Sequence, residues 1–300
     1  MEASIINQFP DEIADTVISH ASYHRLLSAY TALPFVTLET ITSVRSPAHG
    51  ELSVAFVRYA PPVRQACRRL SILITAGIHG DAPAGVLALY AYLLSISLRQ
   101  LPVDIYAFPC VNPVGLLGSS RLSSGHFDLN KQMTRNSIAP EVRGVVTMLE
   151  KMAISFDAAF DLQEDTPTAS CEVTSSPPQA KGFYLYESNF DPLRPPIGKD
   201  ITRAVAAAGI TVSAQRAIYG EPTVDGVVAR GIERGDVFDF ERFITMNYTN
   251  HVITPRTDRL LSVEDRVRTH TIALESGVRT LQRNIPTATQ SPLTKSRPKH

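Results

Sequence analysis

Tryptophan is absent from this chain of 300 residues, and cysteine occurs only three times, at Cys67, Cys110 and Cys171. An odd number of cysteines with no Cys-x-x-Cys spacing builds neither a disulfide framework nor a thiolate zinc site, and points to reduced thiols inside a cell. An excess of one charge is also lacking, since 29 Lys and Arg face 29 Asp and Glu. That balance offers no electrostatic foothold to nucleic acid or an anionic membrane, so neither is expected as a partner. Long apolar runs are missing too; the longest, 86–94, is too short to span a bilayer. Residues 1–17 carry Asp11, Glu12 and Asp15 where a secretory leader needs a basic start and an apolar run. The expectation is a soluble, cytoplasmic protein.

What is present is an ordinary globular composition, 44% hydrophobic and 19% charged. The length suits one large core, and a single domain over 1–283 is expected. Residues 284–300, rich in Pro, Ser, Thr and Lys without apolar periodicity, are expected to form a disordered tail.

Residues 35–44 and 52–58 place β-branched or aromatic side chains at intervals of two and are expected as strands, the second ended by Ala60-Pro61-Pro62. Residues 71–76 (SILITA) form a continuous apolar run closed by Gly77, the pattern of a strand buried on both faces; 103–108 and 158–162 repeat it. Helices are expected over 83–98, with Pro83 in the first turn, and over 140–152, 199–208, 237–244 and 262–282. Short strands are expected at 183–187 and 251–254, with a Gly-, Ser- and Asn-rich loop over 112–131. The alternation predicts an α/β domain, a mixed, mainly parallel sheet flanked by helices on both faces. Such sheets carry their sites beyond the carboxyl ends of their strands.

Those strand ends hold the chemistry-bearing residues. After the first buried strand comes Gly77-Ile78-His79-Gly80-Asp81-Ala82-Pro83. After the second come Asn112-Pro113-Val114-Gly115, then Arg121 and Asp128-Leu129-Asn130-Lys131. The third runs into Asp161-Leu162-Gln163-Glu164-Asp165, and near the end stands His251-Val252-Ile253-Thr254-Pro255. Glycines 77, 80 and 85 fit a tight strand-to-helix turn. Asp81 is expected to cap the helix opening at Pro83.

In this order the motifs resemble the zinc carboxypeptidase superfamily, including its succinylglutamate desuccinylase and aspartoacylase branch, over about Leu70 to Val278. The resemblance implies a catalytic zinc held by a His-x-x-Glu motif and a second histidine, with a separate glutamate near the C-terminus as general base. His79 matches the first ligand. Ala82 stands at the glutamate position, Gln163 at the second histidine and Ile253 at the general base. A methyl group cannot ligate a metal, and an amide oxygen is a poor zinc ligand. The implied site is therefore degenerate, with no metal and no other cofactor expected.

The same resemblance makes Arg121 the oxyanion-stabilising arginine, Asn130 and Lys131 a substrate-carboxylate pair, and Asp128 the aspartate that orients His79. A carboxylate-oriented imidazole is a usable general base near neutral pH, and Glu164 is placed to supply a second acid/base group. Three readings follow. The first is a metal-independent enzyme performing isomerisation, elimination or cyclisation on a small carboxylate- or carbonyl-bearing molecule, with His79, Asp128, Arg121 and Glu164 catalytic and Asn130, Lys131 and Gln163 binding substrate. The second is an inactive relative that binds a peptide-like ligand or partner. The third is a zinc carboxypeptidase or amidohydrolase with rearranged ligands, for which His126 and Cys110 are the nearest improvised candidates. The stretch 166–181 is a pocket lid or a surface loop. Oligomeric state is left open.

Overall fold

The computed structural model describes residues 18–62, 68–165, 180–231 and 239–284. Cys67, Cys171, the loop 166–179, the first residues of the helix expected from 237, and the tail from 285 lie outside the described residues.

The chain opens with helix α1 (His20–Thr31), started by Ser19, whose side-chain oxygen accepts the Ser22 amide at 3.1 Å. Strands β1 (Val36–Ser46) and β2 (Gly50–Tyr59) pair antiparallel. Then follow β3 (Leu70–Ala76), α2 (Pro83–Arg99), β4 (Val103–Phe108), a short α3 (Pro113–Leu117), a 3-10 turn (Leu129–Gln132), α4 (Pro140–Met152) and β5 (Ala158–Asp165). The remainder is β6 (Tyr184–Asn189), α5 (Gly198–Ala207), the small strands β7 (Ala217–Ile218), β8 (Glu221–Pro222) and β9 (Val227–Ala229), α6 (Phe240–Asn247), β10 (His251–Asp258) and α7 (Val263–Arg283).

Eight strands form one sheet in the order β1-β2-β4-β3-β5-β10-β6-β9. Its centre, β4-β3-β5-β10, is parallel throughout, and β1-β2, β2-β4 and β10-β6 are antiparallel. Alternation along the central strands feeds two cores. Ile72, Ile74, Phe160 and Leu162 pack with α1, α2, α5 and α7 on one face; Leu73, Ala159 and Val252 pack with α4 and α6 on the other. With both faces covered, these strands read as unbroken apolar runs rather than alternating ones.

Two expectations need correcting, and one helix was not foreseen. Helix α1 was not legible, because its inward residues Tyr23, Leu26, Leu27 and Tyr30 are interleaved with Ser and His rather than set on a clean apolar stripe. The stretch 112–131 is not all loop: Asn112 nucleates α3, its side chain accepting the Gly115 amide at 2.8 Å, and Asp128 starts the 3-10 turn. Strands β5 and β10 run three and four residues beyond their apolar segments, because Gln163 bridges Asp161 and Arg256 across the seam and Tyr219 donates to Asp165. The apolar count stopped where the polar site began.

Candidate active site

His79 sits in the turn from β3 into α2, 2% exposed. Two glycines make that turn possible. Gly77 has φ +60°, and a Cβ at Gly80 would fall 2.0 Å from the backbone of Gly115. The β3–α2 turn and α3 are thereby pressed together, and the Asn112 amide donates to Gly77 O at 2.8 Å. Asn112 also donates from Nδ2 to Arg121 O at 3.3 Å. One asparagine thus ties the His79 turn to the segment carrying Arg121.

His79 Nε2 lies 3.2 Å from Asp128 Oδ1, while Arg121 donates to Asp128 Oδ2 from Nη2 at 3.1 Å and Nε at 3.3 Å. The Asn130 amide adds a fourth contact at 3.2 Å. Burial works against the Asp128 carboxylate, but the imidazole and guanidinium overcome it and hold the group well below the usual carboxylate range. Burial lowers the His79 pKa. Asp128 partly restores it, while the charges of Arg121 and Arg256 depress it further. His79 is therefore a neutral imidazole at pH 7. With Asp128 as acceptor at Nε2–H, Nδ1 carries the lone pair.

The second half of the site lies on the β5–β10 seam, where Gln163 pairs with Arg256 and Phe160 with Ile253. Thr75 donates to Asp161 Oδ1 at 2.7 Å, and Gln163 Nε2 donates to Asp161 Oδ2. Gln163 Oε1 in turn accepts from Arg256 Nη2 at 2.5 Å. Burial pushes the Asp161 carboxyl up to about 6 against the pull of Thr75, Gln163 and Arg256. Tyr219 donates to Asp165, its oxygen 2.8 Å from both carboxylate oxygens.

The expected residues meet different fates. His79, Asp128 and Arg121 come together. Asn130 is near them, but its side-chain oxygen accepts the Phe240 amide at 3.1 Å, at the start of α6. Lys131 is exposed. Glu164 is turned away: its position in the strand points it to the other face, where it accepts the Ala84 amide at 2.7 Å and pairs with Arg266. Glu164 therefore satisfies the N-terminus of α2, and Asp81 does not cap it; Asp81 lies 3.4 Å from Arg259 instead. Ile253 is also on the far face, fully buried in the core with Phe160. The β10 residue that reaches Gln163 is Arg256, which the sequence reading missed because it lies beyond the apolar part of its strand. Cys110 is buried, its thiol pushed up to about 12 by desolvation, which suits a structural residue.

These residues do not fit the metal that the fold implies. Among the described residues no three His, Cys, Asp or Glu side chains gather to hold an ion. Ala82 offers a methyl group, and the Gln163 oxygen is committed to a guanidinium. A divalent ion about 4 Å from that guanidinium would be opposed by roughly 8 kcal/mol at an effective dielectric near 20.

No family model and no curated protein matches this chain. Solved structures do. A candidate metallopeptidase from Shewanella amazonensis superposes with TM-score 0.69 at 17% identity, covering 90% of this chain and 94% of its own. One from Shewanella denitrificans gives 0.67 at 18%, covering 85% and 88%. A metallo-carboxypeptidase from Pseudomonas aeruginosa, in complex with (2-guanidinoethylmercapto)succinic acid, gives 0.60 at 14%, covering 90% and 70%. The chain has the carboxypeptidase-like α/β fold.

Proposed function

We propose that this chain is a metal-independent enzyme that uses His79 for acid/base chemistry on a small carboxylate- or carbonyl-bearing molecule in the cytoplasm. The observation that carries the reading is the His79–Asp128–Arg121 chain. A neutral imidazole is held by an ionised carboxylate, which is itself held by a guanidinium, and that arrangement outlives the ligands it would have served. Asp128 fixes the tautomer by accepting at Nε2–H, so Nδ1 removes a proton and returns it elsewhere on the substrate. Proton abstraction of this kind supports isomerisation, elimination or cyclisation; hydrolysis would need a separate activated water. Glu164 takes no part, since its carboxylate is spent on Ala84 and Arg266. The proton acceptors left on the site face of β5 are Asp161 and Asp165. Both are committed as well, Asp161 to Thr75 and Gln163 and Asp165 to Tyr219, which leaves His79 as the acid/base group.

The test is solvent-deuterium exchange, followed by NMR, across a panel of small keto and hydroxy acids in the presence of a chelator. The expected result is exchange or conversion by the wild type that is abolished in His79→Ala and strongly reduced in Asp128→Asn. Exchange that persists in His79→Ala would overturn the assignment. Ligand binding without any exchange would favour the non-catalytic reading.

A further inference from the structure

Four arginines surround the described site and its flank, and three of them hydrogen-bond to carboxylates, although the Nε of Arg266, like that of Arg256, is buried with no partner among the described residues. Arg121 donates twice to Asp128. Arg266 pairs with Glu164. Arg230 makes two bonds to Glu221 and one to Glu241, at 2.7–3.0 Å, and its guanidinium lies 3.5 Å over the Tyr186 ring. Arg256 is different. Its hydrogen bond goes to the neutral Gln163 amide. Its approach to Asp165, 3.9 Å, is beyond hydrogen-bonding range, and its Nε is buried with no partner among the described residues. The Asp165 oxygens are already taken by Tyr219.

A guanidinium has five N–H donors in a planar fork, and leaving them unmet in a buried position is costly. Native structures tolerate such a group where a ligand completes it. The side chain as a whole is one-fifth exposed, although Nε itself is covered. Hydrogen bonds run from Arg256 through Gln163 and Asp161 to Thr75, on the strand that leads into the His79 turn.

We propose that Arg256 is the anion receptor of this site and that it takes a carboxylate of the substrate in a two-pronged hydrogen bond, supplying the fixed positive charge that a metal ion supplies in other proteins of this fold. This rests on the reading of the site as one for a small molecule, but does not require His79 to be catalytic. Gln163 serves as the positioning residue: its Oε1 holds one edge of the guanidinium and its Nε2 is anchored on Asp161, leaving the other edge for the ligand. The ligand class is a carboxylate, borne by a free acid or by the C-terminus of a short peptide. A planar fork recognises either with the same geometry.

The experiment is titration of the full-length protein with succinate, its neutral isostere succinamide, and N-acetyl-dialanine with a free or amidated C-terminus. Binding is followed by calorimetry and by the arginine Nε–H resonances. The expected result is saturable binding of one or both free carboxylates, at least tenfold weaker binding of the matching amides, and a shift in an arginine Nε–H resonance. Succinate or the peptide binding more tightly identifies the source. Arg256→Lys, which keeps the charge but loses the fork, weakens binding at least tenfold, whereas His79→Gln leaves it in place. Loss of exchange in His79→Gln with carboxylate binding intact separates this proposal from the acid/base reading. No saturable binding, equal binding of acid and amide, or affinity unchanged in Arg256→Lys would overturn it. Because the wild-type resonances report directly, the result stands even if a variant fails to fold.

Discussion

Asp128 is shared between His79 and Arg121, one carboxylate oxygen to each. The imidazole and the guanidinium share one anion, and the two charged groups act on the imidazole in opposite senses. The carboxylate raises the imidazole pKa, while the guanidinium charge lowers it, and burial lowers it more than either. Asp128→Asn removes the raising influence and keeps both lowering ones. His79 in that variant is expected to titrate still further below 6.5 than in the wild type, read from the imidazole carbon resonances against pH. A value unchanged or higher would mean that Asp128 is not the partner that sets the His79 charge.

Glu164 and Arg266 form a buried pair, their side chains 0% and 6% exposed. Glu164→Gln keeps an acceptor for the Ala84 amide but leaves a buried guanidinium without its counter-charge. Breaking such a pair from one side costs about 3–5 kcal/mol, so the melting temperature should fall sharply. Carboxylate binding by the folded fraction should not change, because Glu164 faces away from Arg256. A variant that stays stable yet loses binding or exchange would return Glu164 to the site.

What could be read from the residues, and what could not, divides along physical lines. The central strands were legible because SILITA and its counterparts are buried on both faces, and α4 was legible to the residue because Pro140 opens it and its apolar spacing is regular. His79, Asp128 and Arg121 were legible as a group because the order of their motifs resembles that of a known family, and the structure brings the three together. Arg256 was not, since its role depends on cross-strand register with Gln163, which no local pattern encodes. Strand alternation was also underused: Gln163 and Glu164 are neighbours in sequence and so must face opposite sides. Asn130 illustrates the remaining gap, because its partner Phe240 is 110 residues away.

Gly80 tests whether the site depends on the close approach of two turns. A Cβ there would meet the Gly115 and Leu116 backbone at 2.0 and 2.3 Å, and backbone cannot step aside as a flexible side chain can. Gly80→Ala should therefore cost about 1–3 kcal/mol and shift the His79 resonances. Gly231→Ala, where nothing lies within 4 Å, should stay within roughly 0.5 kcal/mol of wild type. Equal behaviour of the two would show that the turns separate freely.

Acid should destabilise this fold through a histidine that touches Thr257 on the opposite face of the β5–β10 seam from Arg256. His270 is fully buried, and burial, aided by the charge of Arg266, pushes its pKa down to about 3 from 6.5. The folded state then binds fewer protons than the unfolded chain between those values, so this contribution is complete above 6.5 and is lost as pH falls toward 3. At about 1.4 kcal/mol per unit it amounts to roughly 5 kcal/mol. Asp161 acts with the opposite sign: its folded value of about 6 lies above 3.8, so it adds stability as pH falls through 6, up to about 3 kcal/mol. The two partly cancel between pH 6 and 4, and the net loss should become steep only below about 4. Urea unfolding of the wild type at pH 7, 5, 4 and 3 should show that delayed fall. His270→Phe should flatten it, and Asp161→Asn should bring it forward to between pH 6 and 5. Parallel curves for all three proteins would remove both groups as the source of the acid response, because neither change in bound protons would then be linked to folding.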